Sequence, residues 1–327
     1  MSAATRPPDD PAGADPKALP PPIVFVGGTG RSGTHVLAEL LGRHPAFALV
    51  PVESRFHVNP GGFPDLLAGE VSPRQFLRKL KRFWWRRIRA GEVAPVVAKR
   101  LAFGRKVRGL HKVVARDRFD AAVAEFEATA PVDVDAACRN LFLDLLWPLA
   151  AEAGKPGLIE MSCFTVAESP TLLRLFPEAR IIHTVRDGRD AGSSKVSKRQ
   201  KRSHPRDGGE GLRWWEGRLR KIEAGVREVP SERLLTVSLD ELVAGDREGV
   251  YAEIRAFLDL DDEAAMRAFF DEEMSASAAH KERWREGLTP EAQAELVKEY
   301  ERTLQRLERE GFSSAPVLRR AYEHAPA

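Results

Sequence analysis

The stretch "VFVGGTGRSGTHVLAELLGRHP", residues 24–45, constrains the fold of this chain more than any other. Ile23 to Val26 form an apolar run bounded by Pro22 and Gly27, the pattern of a strand buried on both faces. A glycine-rich turn follows. Val36, Leu37, Leu40 and Leu41 then recur at helical spacing until Gly42, with His44 and Pro45 ending the helix. A strand that feeds a helix through glycines aims backbone N–H groups and the helix N-terminus at one point, which suits a phosphate or sulfate. A purely structural turn could use the same glycines.

The loop departs from two familiar patterns. With Gly28 and Gly33 as the glycines of an ATP-binding loop, the lysine and hydroxyl positions fall on Thr34 and His35. A kinase or ATPase mechanism would then lack two of its recurring parts, which leaves an atypical kinase as a weak alternative. Gly28-Thr29-Gly30-Arg31-Ser32-Gly33 formally satisfies a dinucleotide fingerprint, and Glu53 stands at its acidic position. Arg31 and Ser32 are polar for a turn that must pack closely on a pyrophosphate.

Further strands are expected at 47–52, 157–161, 179–185 and 233–239, with helices between them. Strands alternating with helices predict an α/β fold: three layers, α/β/α, around a central, mainly parallel sheet of four to five strands. Residues 1–22, rich in Pro, Ala and Asp, predict a disordered tail. One domain is expected over 23–327, with a helical insertion at about 57–156. The last long helix takes Thr289 as N-cap, Pro290 at its first position and Gly311 as its stop.

Composition narrows the classes. The 51 basic and 48 acidic residues leave a net charge of +3, so no global field favours nucleic acid, and none is expected as a partner. Basic residues cluster locally at 74–118, where Phe83, Trp84 and Trp85 interrupt them. That segment reads either as the packed face of a solvated helix or as a surface for nucleic acid, an anionic sugar or peripheral membrane contact. Cys138 and Cys163 lie too far apart for a CxxC site and read as free thiols. With no apolar stretch near the ~20 residues that span a bilayer and no signal-peptide pattern, a soluble, cytoplasmic protein is expected.

"GGTGRSGTHVLAELLGRHP" resembles the loop that grips the 5′-phosphosulfate of 3′-phosphoadenylyl sulfate (PAPS) in sulfotransferases, a family with a P-loop NTPase-like fold. "LFPEARIIHTVRDGRDAGSSKVS", residues 175–197, is similar to the strand and helix that hold the 3′-phosphate, where an arginine and a serine eight residues later both touch it. Taken alone, its "VRDGRD" could also be a turn in which Asp187 and Asp190 neutralise Arg186 and Arg189. "HKERWREGLT", residues 280–289, resembles the C-terminal loop that closes over the adenine.

The resemblance implies PAPS as the donor and no metal. It places Gly30, Arg31, Ser32, Gly33, Thr34 and His35 at the phosphosulfate and Arg186 and Ser194 at the 3′-phosphate. It adds Arg283 and Arg285 as further phosphate ligands and Trp284 as a wall for the base. "VPVESRFH" resembles the Glu-x-Arg element of the protein-tyrosine branch and its bacterial relatives, so Glu53 is the expected general base, with Arg55 and His57 toward the acceptor and His57 as the alternative base. The lysine that relatives place after the third strand falls on Met161, which cannot donate. Arg31, or less well Lys195, could replace it; otherwise the chain is an inactive PAPS-binding relative. The acceptor, a small molecule, carbohydrate or lipid bearing a hydroxyl or, less suitably, an amine, is expected to be selected by the insertion.

Overall fold

The computed structural model describes residues 22–88, 107–197 and 205–324. The expected tail and the middle of the basic stretch lie outside them. Five strands, β1 (Ile23–Gly28), β2 (Phe47–Leu49), β5 (Gly157–Met161), β6 (Arg180–Val185) and β7 (Leu234–Ser238), form one sheet in the order β2-β5-β1-β6-β7. Every pairing in it is parallel. A second, two-residue ribbon pairs β3 (Arg87–Ile88) antiparallel with β4 (Val107–Arg108) inside the insertion, where only helices were expected.

Alternation along the strands explains why helices must cover both faces. Ile23, Phe25, Leu158 and Ile181 point into one apolar cluster, while Val24, Val26, Ile159 and Ile182 point into the other. The second cluster is closed by Leu37, Leu40 and Leu41 of α1 (Thr34–Gly42) and by Tyr251, Ile254 and Phe270 from the C-terminal half. The insertion supplies α2 (Phe63–Leu67), α3 (Pro73–Lys79), α4 (Arg116–Thr129) and α5 (Val134–Glu152). Their Phe63, Phe76, Phe126, Leu141 and Phe142 join Phe25 and Ile181 in the first cluster, so the insertion shares the core of the sheet. Trp84 is buried there and Trp85 packs on Phe119 at 4.1 Å, while Phe83 beside them stays exposed. This is the packed-face alternative for Trp84 and Trp85.

After β5 come α6 (Ser169–Leu175), α7 (Gly188–Val196) and α8 (Gly208–Val226), then α9 (Leu239–Ala244), α10 (Arg247–Leu258) and α11 (Ala264–Glu273), and last α12 (Pro290–Arg309) and α13 (Ala315–Glu323). Thr289 caps α12 by accepting from the N–H of Ala292 at 3.3 Å. No described helix is long and apolar enough to cross a membrane. From β1 the chain runs to β2 at one edge and returns through β5; from β6 it proceeds to β7 at the other edge. The connections after β1 and β6 therefore diverge and leave a crevice at their carboxyl ends, where ligands bind in open α/β sheets.

Candidate functional site

The loop after β1 forms one wall of that crevice. Gly30, Arg31 and Gly33 all have left-handed backbones, with φ of 81°, 66° and 87°. Successive turns of this kind curl N–H groups into a concavity that fits an anion. Gly33 is required twice over, because it caps α1 in this conformation and a Cβ on it would lie 2.7 Å from Leu239. The first turn of α1 carries no acidic side chain to neutralise the helix dipole. Thr34 is buried in that turn, and His35 is exposed beside it.

Ser32 is fully buried, with Oγ 3.2 Å from Thr184 Oγ1, which itself donates to the carbonyl of Gly27 at 3.0 Å. Thr184 has one hydroxyl proton, so Ser32 must donate to it. The Ser32 hydroxyl ties the loop to β6 and leaves its backbone N–H for a ligand.

The turn after β6 forms the second wall. Arg31 Nε donates to Ser194 Oγ at 2.9 Å, joining the loop to α7. Arg186, buried, donates from Nη2 to the carbonyls of Ala279 and His280 at 2.7 and 3.0 Å and lies 3.6 Å from Asp190. Its Nε is buried without a hydrogen-bond partner among the described residues, an orphaned donor in this crevice. Asp190 accepts the N–H groups of Glu282 and Trp284 at 2.8 and 3.1 Å, which holds the C-terminal loop down; burial raises its pKa in spite of Arg186.

Arg189 does what the salt-bridged alternative foresaw. It pairs with Asp187 at 2.5 Å and is caged by Trp284, Tyr300 and Tyr322, with ring centroids 4.5, 4.7 and 5.3 Å away. Trp284 is consequently a core residue, 3% exposed, with Arg189 4.5 Å and Arg285 4.7 Å from its ring centroid. Arg189 thus already lies against the ring. Arg283 and Arg285 are half exposed and pair loosely with Glu286 and Glu282.

The third wall is the turn after β2. Arg55 pairs with Glu53 and adopts φ 63°, while its N–H donates to Ser162 at 3.3 Å. Glu53 also accepts from Cys163 Sγ at 3.4 Å. Burial and the Glu53 carboxylate push the Cys163 thiol up to about 12, so it stays a donor at neutral pH. The carbonyl of the same Cys163 receives the N–H of Gly28 at 3.3 Å. One residue thus links the Glu53 turn to the glycine loop.

His57 is placed differently from the expectation. It is fully buried among Phe25, Phe56 and Phe142, with Nε2 2.9 Å from Glu160 and Nδ1 3.1 Å from Ser54 Oγ. Both nitrogens are engaged inside the protein, so His57 supports the turn and does not face an acceptor. Its partner Glu160, also fully buried, accepts from Ser54 N, Ser54 Oγ and Ser162 Oγ at 3.2, 2.8 and 2.7 Å. Burial opposes its ionisation, but His57 and these donors outweigh that and hold the carboxyl below its usual range. The sequence reading missed Glu160; its signal is a carboxylate in "GLIEM", an otherwise apolar strand.

Met161 is buried against the α1 face of the sheet and contributes no donor. Lys195 lies beside this region: burial lowers its pKa, as do the charges of Arg218 and Arg31. Among the described residues no cluster of three or more His, Cys, Asp or Glu could hold a metal ion.

Comparisons with known proteins agree in kind. The sulfotransferase domain of the Synechococcus PCC 7002 olefin synthase is 20% identical with a TM-score of 0.48, over 86% of this chain and 94% of that one. Mouse sulfotransferase SULT7A1 complexed with PAP is 13% identical with a TM-score of 0.45, over 93% and 89%. Sulfotransferase STF1 of Mycobacterium tuberculosis H37Rv is 16% identical with a TM-score of 0.43, over 86% and 76%. A search of curated proteins returned no match. The family model described as "Sulfotransferase family" matches residues 22–264, most of the chain, including the glycine loop, the Glu53 turn and the Arg186 turn. The chain belongs to the sulfotransferase family.

Proposed function

We propose that this protein transfers a sulfuryl group from PAPS to an acceptor hydroxyl, with Glu53 as general base. The observation that carries the reading is the double contact of Cys163, which holds the glycine loop through its carbonyl and Glu53 through its thiol. A donor seated in the loop and a hydroxyl at Glu53 would then share one small space. Loop N–H groups and the N-terminus of α1 fit the 5′-phosphosulfate. Ser194 and the orphaned Nε of Arg186 fit the 3′-phosphate.

In the reaction Glu53 takes the hydroxyl proton as the acceptor oxygen bonds to sulfur. The bond from sulfur to the 5′-phosphate oxygen breaks, and the charge left on adenosine 3′,5′-bisphosphate (PAP) settles on the loop donors. In this reading Arg31, a cation of the loop, replaces the donor missing at Met161. A second reading, a PAPS-binding relative without catalysis, is favoured by the buried Met161.

Calorimetry and labelled PAPS separate the readings. PAP should bind well above 5′-AMP, and Arg186→Ala should weaken PAP by about 10- to 100-fold, the range for a charged hydrogen bond. Equal affinity for the two nucleotides would sink both readings. PAP binding with no label transferred to any acceptor of a fractionated extract selects the second.

A further inference from the structure

Arg218 stands at the middle of α8, on a face fixed by two close helix contacts. Gly211 and Gly225 lie seven residues to either side of it, and at 3.6 residues per turn all three share that face. A Cβ on Gly211 would lie 2.9 Å from the backbone of Gly192 in α7, and one on Gly225 would strike the carbonyl of Ala167. The helix is therefore pressed on α7 at one end and on the turn after β5 at the other. Arg218 projects into the gap between them.

There its guanidinium lies 4.3 Å from the centroid of Phe164, the residue after Cys163, and 5.8 Å from that of Trp214. Lys195 Nζ lies 5.4 Å from the same Trp214 ring. The partly buried Arg139, Arg189 and Arg306 each sit on a carboxylate. Arg218 has none among the described residues. Burial lowers its pKa, yet an arginine remains charged at any working pH. A half-buried fork of donors on an aromatic shelf, with a second cation beside it, favours an oxyanion.

In the proposed reaction the donor has its own partners in the loop and the turn and helix after β6, Arg31, Arg186 and Ser194, and Arg218 lies on the Cys163–Phe164 side, where Glu53 is. We infer that Arg218, seconded by Lys195, binds an oxyanion on the acceptor, a carboxylate or a phosphate, while Phe164 and Trp214 carry the apolar body between that group and the reacting hydroxyl. This rests on the proposed transfer reaction, and it assigns acceptor recognition to a helix outside the insertion.

The test is binding to the PAP-loaded protein of para-substituted phenols that differ in one end group: 4-hydroxyphenylacetate, 4-hydroxybenzylphosphonate, the neutral alcohol tyrosol and the cation tyramine. The anions should bind at least tenfold tighter than tyrosol, with tyramine weakest, and the tighter anion identifies the oxyanion. Arg218→Ala should erase that preference, change tyrosol affinity less than twofold and leave PAP affinity intact; Arg218→Lys should keep part of the preference. Equal affinity for the four phenols, or no binding of either anion, overturns the inference while leaving the donor site standing. Loss of PAP binding in Arg218→Ala would also overturn it, by making Arg218 a donor ligand. Failure of the unaltered protein to bind PAP would instead remove the reaction on which the inference rests.

Discussion

The two sides of the crevice are built by different means. The donor side is mostly local: a left-handed loop, a helix N-terminus and an arginine and serine two turns apart, all within short stretches of chain. The acceptor side is assembled from distance. Glu53 meets Cys163 across 110 residues, Ser54 meets Glu160 across 106, and Arg218 reaches Phe164 from another helix. Backbone geometry shapes the first, which Ser32–Thr184 and Arg31–Ser194 then tie to β6 and α7, while buried polar side chains hold the second. Damage to the donor side should appear as lost nucleotide affinity, and damage to the acceptor side as lost turnover or stability.

The largest expected effect separates the sides most sharply. Glu53→Gln should lower transfer of labelled sulfate by about 100- to 10,000-fold, the range for a general base, with PAP affinity held within twofold. A parallel loss of PAP affinity would mean that Glu53 belongs to the donor side. Next, Glu160→Ala strands His57 and three hydroxyl or amide donors in the core and should destabilise the fold by about 3–5 kcal/mol in urea titrations. An effect under 1 kcal/mol would show that the turn does not depend on its buried carboxylate.

His183, in β6 beneath the crevice, supplies a pH test. Burial lowers its pKa from 6.5 to about 4, and neither ring nitrogen has a hydrogen-bond partner among the described residues. Between those values the unfolded chain takes up a proton that the folded one refuses. Stability is therefore full above about pH 6.5 and falls as pH drops toward 4, by on the order of 3 kcal/mol in all. Urea midpoints from pH 7 to 5 should show this slope, and His183→Leu should flatten it. The smallest effect lies at the end of the C-terminal loop: Thr289→Ala removes the cap of α12 and should cost about 1 kcal/mol in urea titrations.

Arg186 and Arg189 show where legibility ended. Both stand in "VRDGRD" with aspartates at hand, and spacing alone leaves phosphate site and salt-bridged turn open for each. Packing separates them, because Arg189 is enclosed by rings from three later segments while Arg186 keeps one buried N–H without a partner among the described residues. The burial of Trp284 was out of reach for the same reason: its neighbours come from α7 and α12. His57 resembles a base in sequence, and only Glu160, 103 residues away, shows why it is internal.

The sequence by itself determined the strand–loop–helix at 23–42, the positions of the sheet strands along the chain, the cap of α12 and the lack of a lysine at Met161. These rest on periodicity, glycine conformation and residue type, which act over a few residues. Only the tertiary structure decided that Ser32 gives its hydroxyl to Thr184, that His57 is a strut, that Trp284 is core and that Arg218 has no carboxylate partner among the described residues. Each depends on which polar group meets which in a buried space, and an unpaired buried charge or donor is costly enough that the partner dictates the role.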